Sequence, residues 1–178
     1  MRNDINLPVM GVTILLAAVL QDMIPVSLWL PVKIGFLTSV ALFYMLTRPF
    51  LKALLALVWA GVLTDALGGL PALCTVSFLF CAYGAVNSLR NVIYSTGVFT
   101  GMVLCAGLSC IQMIWTRIWI GTSGTAGIWY SFALLGYSIV AGAIAGVVGF
   151  AICMLIDNFS GCIKPAKEKN GLSWSKAD

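Results

Sequence analysis

The chain contains no histidine, and its only glutamate is Glu168, near the carboxyl end. Formal charge is scarce throughout: acids and bases together make up 9% of the 178 residues, while 61% are hydrophobic. A soluble domain carries roughly 25% charged residues. Ten basic and six acidic side chains cannot clothe so large an apolar content in a polar skin. A bilayer removes the conflict, because lipid tails accept an apolar exterior. The composition predicts an all-α, polytopic transmembrane bundle of about six helices.

The same shortages exclude most chemistry. There are no paired carboxylates within an apolar run, no G-x-S-x-G and no phosphate-binding loop. Hydrolysis or group transfer needs a base, a nucleophile and charge stabilisers converging on one site, and an ion pump shows several ionisable groups within its spans. No enzymatic activity, metal, cofactor or small-molecule substrate is expected. The net charge of +4 comes from basic residues spread between apolar runs, which speaks against a nucleic-acid surface. Six cysteines include no C-x-x-C pair and lie mostly in apolar segments, where they read as small packing residues.

Six apolar runs follow one another: Leu7 to Ile24, Val32 to Leu46, Phe50 to Leu67, Ala72 to Leu89, Val92 to Ile114 and Phe132 to Ile156. Weak basic flanking, the lack of an A-x-A site and the spans that follow make the first run a retained helix rather than a signal peptide. Pro25 to Pro31 forms a hinge, Thr47-Arg48-Pro49 breaks the second run, and Gly68-Gly69-Leu70-Pro71 ends the third. A Gly/Ser/Thr-rich loop, Gly121 to Gly127, is bracketed by Trp115, Trp119, Trp129 and Tyr130. Residues 1–158 thus read as one membrane domain. Residues 159–178, with Lys164, Lys167, Lys169 and Lys176, read as a basic, disordered tail.

Six spans put both termini on one side. That side then holds Arg2, Arg48, Lys52, Arg90 and the four tail lysines, against Lys33 and Arg117 on the other. The bias identifies the terminal side as cytoplasmic.

Asp65 is the acid that stands out. It closes an otherwise apolar helix in Gly61-x-x-x-Asp65-x-x-Gly68-Gly69-Leu70-Pro71. A carboxylate at the bilayer centre costs about 2.5–3.5 kcal/mol on insertion scales, so it faces protein or water. Gly61, Asp65 and Gly68 share one helix face. Two roles are open: a contact with a partner or ligand, or a cap on the amino end of the next helix. Gly97-x-x-x-Gly101 and Gly142-x-x-x-Gly146 have the spacing that lets membrane helices approach closely, most simply within this chain. Asp22 and Lys33 flank the first turn as a potential surface pair.

Ile14-Leu15-Leu16-Ala17-Ala18-Val19-Leu20-Gln21, the hinge after it, Gly61-x-x-x-Asp65 and Gly69-Leu70-Pro71 leading into a helix resemble the bacterial rod shape-determining protein MreD family. The likeness spans roughly residues 14–90. It implies a non-enzymatic scaffold subunit of the cell-elongation machinery in the inner membrane. Its partners would be an MreC-like membrane protein and, through it, the MreB filament and the peptidoglycan synthases of the side wall. Gly61, Asp65, Gly69 and Pro71 match the family's glycine–acid segment. The family's fold is similar to that of the substrate-binding subunits of energy-coupling factor vitamin transporters, which supplies an alternative function. That alternative requires an outward cavity with hydrogen-bonding groups and an aromatic platform, for which Asp65, Asn87, Gln112 and Trp59 are the candidates.

Overall fold

The computed structural model describes residues 6–24, 32–89, 97–120 and 128–159. The Pro25 to Pro31 hinge, Arg90, the Gly121 to Gly127 loop and the basic tail lie outside the described residues. The described chain is wholly helical: α1 (Asn6–Met23), α2 (Phe36–Thr47), α3 (Phe50–Gly68), α4 (Cys74–Leu89), α5 (Val98–Ile120) and α6 (Ile128–Phe159). Three of these, α3, α5 and α6, are long and apolar enough to cross a membrane, and the protein is a membrane protein. The 32 residues of α6 rise about 48 Å, well beyond a hydrocarbon core of about 30 Å.

The shortest helix sits at the centre. α2 has 12 residues, rises only about 18 Å, and touches each of the other five helices. Its side chains from Phe36 to Leu46 are all buried. A helix that is apolar on every side belongs inside protein; α2 fills the middle while its neighbours face lipid. Phe43 anchors the centre, edge-on to Tyr44 at 5.5 Å and to Phe150 of α6 at 5.4 Å between ring centroids. The five cysteines among the described residues are free thiols, and Cys74, Cys105 and Cys153 are buried.

Gly101, Gly142 and Gly146 of the two G-x-x-x-G motifs lie on the contact between α5 and α6. A Cβ added to Gly146 would stand 2.5 Å from the Gly101 carbonyl oxygen and 2.8 Å from Met102 Cα, and one on Gly142 would stand 2.6 Å from the Cys105 carbonyl oxygen. The pairing of 101 with 146 and 105 with 142 is that of an antiparallel hairpin. Gly101 also leaves room for the Phe150 ring, whose atoms a Cβ there would strike. Gly97 starts the helix, its carbonyl accepting from the Gly101 N–H at 3.1 Å. Lipid tails are as apolar as leucine, so this hairpin is held by close backbone packing rather than by a hydrophobic drive.

Gly146→Ala meets backbone that cannot move aside, and should destabilise the purified protein by about 1–3 kcal/mol. Gly107→Ala, also in α5 but with nothing within 4 Å of the added carbon, should leave stability unchanged or raise it by up to about 1 kcal/mol. Thermal unfolding of both variants in one detergent checks the contrast.

Candidate functional site

In lipid every backbone polar group has to be satisfied by protein, and the first N–H groups of a helix have no partner within it. Two short helices of this bundle solve that problem with side chains borrowed from other helices. Gly35, before α2, offers no side-chain cap. Instead Gln21, buried at the end of α1, accepts the Leu37 N–H on its Oε1 at 3.1 Å. At α4 the Asp65 Oδ1 accepts the Thr75 N–H at 2.8 Å. The carboxylate is only 5% exposed and complements the positive end of the α4 dipole.

The rest of the glycine–acid segment builds the corner that makes this cap possible. Gly69 adopts a left-handed conformation with φ of 60°, which glycine reaches without penalty. Its N–H and that of Leu70 both donate to the Asp65 carbonyl, the latter at 3.0 Å. The Pro71 carbonyl accepts the Cys74 N–H at 3.1 Å. Gly61 lies under α4, where a Cβ would come within 2.7 Å of Val76 Cγ2 and 3.0 Å of its Cα. Gly68 is exposed and borders a cavity described below. Of the two roles open to Asp65, its contacts are those of the cap.

At one end of the bundle Arg48, between α2 and α3, pairs with Asp157 of α6 at 2.7 Å. The acid is fully buried and the arginine 10% exposed; the guanidinium also lies 5.9 Å from the centre of the Tyr44 ring. Sequence reasoning named Arg48 only as a topology marker and passed over Asp157. The available signal was that Asp157 directly follows the sixth apolar run, a place where an ionisable residue ordinarily has a partner.

At the other end the helices enclose a cavity of about 310 Å³, inside the usual range of ligand pockets, about 300–1,000 Å³. Gln21 of α1, Thr38 of α2, Thr64 of α3, Gln112 of α5 and Ser138 of α6 all reach it, and Lys33 and Arg117 line it as well. No carboxylate is among its described lining residues. Lys33 Nζ donates to the Leu67 carbonyl at 3.3 Å, in the last turn of α3, rather than to Asp22. Thr38 donates its hydroxyl to Gln112 Oε1 at 3.2 Å, tying α2 to α5. Of the four residues proposed for a solute site, Gln112 is in the cavity; Asp65, Asn87 and Trp59 are outside it, and no aromatic side chain is among its described lining. Trp115 instead ties α5 to the start of α4, its Nε1 donating to the Cys74 carbonyl at 3.2 Å.

Asp157→Ala takes the buried carboxylate away from the Arg48 guanidinium and should cost about 3–5 kcal/mol, whereas the pair replaced together by Arg48→Met and Asp157→Leu should recover most of that loss. Thermal unfolding in detergent reads both. Asp65→Ala removes the α4 cap and should cost about 1 kcal/mol, while Asp65→Asn, which keeps an accepting oxygen, should cost less. Hydrogen exchange at the first turn of α4 should rise in the alanine variant.

No protein-family model, no curated protein and no solved structure matches this chain.

Proposed function

We propose that this protein is a non-enzymatic scaffold subunit of a bacterial cell-elongation complex, of the MreD type, that sits in the inner membrane with both termini cytoplasmic. It holds an MreC-like membrane partner and, through it, MreB and the peptidoglycan synthases. The observation that carries this reading is the outer face of α4. Ser77, Cys81, Gly84 and Ser88 follow one another at helical spacing along that face, and the last three are exposed. An added Cβ on Gly84 would meet nothing within 4 Å. Elsewhere the lipid-facing surface carries large apolar side chains such as Phe99, Ile118 and Phe132. A strip of small residues lets a second backbone come close, which is how membrane helices associate.

The glycine–acid segment supports the same reading indirectly. Gly61, Asp65 and Gly69 fix where α4 begins and how it leans on α3, and so fix the attitude of its outer strip. The most deeply buried acids have structural uses, Asp157 in an ion pair and Asp65 in a cap, which supports a scaffold rather than a catalyst. The vitamin-transporter alternative has one observation in its favour, the polar cavity containing Gln112. It ranks second because three of its four candidate residues, and any aromatic side chain, are missing from the described lining of that cavity.

Co-purification of a single-pass, MreC-like partner from cross-linked membranes tests the scaffold. Gly84→Leu should abolish capture at unchanged thermal stability, because it fills the strip without touching the core. Asp65→Ala should weaken capture and Asp65→Asn restore it. Undiminished capture by Gly84→Leu would rule out the α4 strip. Stabilisation by a water-soluble vitamin, several degrees at saturating ligand, would favour the transporter subunit instead.

A further inference from the structure

The cavity at the Lys33 end is more polar than the fold requires, and its groups are sorted by kind. Of the five hydroxyl side chains in its described lining, all but Ser109 already commit their hydrogen. Thr64 donates to the Ala60 carbonyl, Thr116 to the Gln112 carbonyl and Ser138 to the Leu134 carbonyl, while Thr38 donates to Gln112 Oε1. What these hydroxyls can still offer is lone pairs. The two glutamines are the reverse case: Gln21 and Gln112 use their oxygens, on the Leu37 N–H and on Thr38, which leaves amide NH₂ groups as donors. Lys33 and Arg117 add positive charge with no carboxylate among the described lining. A complementary guest is an anion that also carries hydroxyl groups.

A second feature extends this. Next to the polar cavity lies a smaller one of about 150 Å³, lined by Met113, Ile114, Arg117 and Leu135. Its wall is apolar apart from Arg117, and it shares Met113 and Arg117 with the polar cavity. Ile114 is about half exposed on the outer surface of α5, so this groove leads from the polar cavity toward the lipid. A polar, cation-bearing chamber joined through an arginine to an apolar groove has the form of an amphiphile site.

We propose that the two cavities together bind one anionic lipid with a hydroxylated phosphate headgroup. The phosphate sits between Lys33 and Arg117, the headgroup hydroxyls donate to Thr64 and Thr116, and the chain lies along Met113, Ile114 and Leu135. The proposal stands apart from the α4 strip and does not depend on the scaffold reading.

The test uses the full chain purified in detergent, with lipid retention measured by native mass spectrometry and thermal shift. The probes are dioleoyl phosphatidylglycerol, dioleoyl phosphatidylcholine and free glycerol 3-phosphate. Phosphatidylglycerol should be retained at least about tenfold better than phosphatidylcholine, a difference of about 1.4 kcal/mol. Free glycerol 3-phosphate should bind much more weakly than the lipid. The double variant Lys33→Gln with Arg117→Gln should lose the preference for the anionic lipid. Lys33→Gln alone, at an exposed position, should lose part of it without harm to folding. Leu135→Trp, at a residue that lines the apolar groove and not the polar cavity, should lower retention of the lipid. Equal retention of the two lipids would overturn the proposal, as would a preference that survives in both lysine variants. Glycerol 3-phosphate binding as tightly as the lipid would overturn the lipid assignment and identify a free solute as the guest.

Discussion

The absence of water around most of this chain is the constraint on which its architecture depends. An unpaired N–H that costs little at a protein surface costs several kcal/mol in hydrocarbon. Long helices meet that demand internally, but α2 and α4 are short and begin inside the bundle. Their first turns therefore need acceptors from elsewhere, and Gln21 and Asp65 supply them. Each bond fixes two helices relative to one another: α1 to α2, and α3 to α4. The same demand explains Arg48 and Asp157. Neither charge is tolerable alone at that depth, and together they bind the α2–α3 junction to α6.

Packing completes what hydrogen bonding begins. α2 occupies the centre because its surface is mostly apolar all round, and Phe43 links it to α6 through Phe150. Gly101 accommodates that ring and also receives Gly146. The α5–α6 hairpin and the α2 core thus meet at one glycine. A substitution there would disturb two interfaces, whereas open glycines such as Gly84 and Gly107 take part in neither.

Much of this was legible beforehand. All six helices fall within the apolar runs or beside them, since hydropathy is a direct reading of lipid as solvent. The ends were less readable. α4 starts at Cys74 rather than Ala72 because Pro71 makes a turn and Leu73 takes a left-handed φ of 69°. α5 continues past Ile114 to Ile120; Thr116 bonds back to the Gln112 carbonyl, and its polar side chains face the cavity instead of ending the helix. α2 begins at Phe36, not Val32, since Gly35 is not helical. At the sites, spacing identified the glycine contacts and singled out Asp65. It could not reveal the pairing of Arg48 with Asp157, which are 109 residues apart. Nor could it reveal that five helices contribute to one cavity, because convergence is a property of tertiary packing.

The polar groups divide unevenly along the bundle. Around α2, α4 and Asp157 the principal polar contacts, Gln21 to Leu37, Asp65 to Thr75 and Arg48 to Asp157, each join two elements of the bundle. At the Lys33 end amide groups, hydroxyl lone pairs and two basic side chains border a space that apolar side chains would have filled at lower cost. Selection for stability alone favours apolar packing at such a place. Thr38 and Gln112 show that the cavity wall is itself held in register, because their mutual bond fixes α2 against α5. An arrangement that spends hydrogen bonds to keep a chamber open, and sorts its donors from its acceptors, is organised around something that enters it.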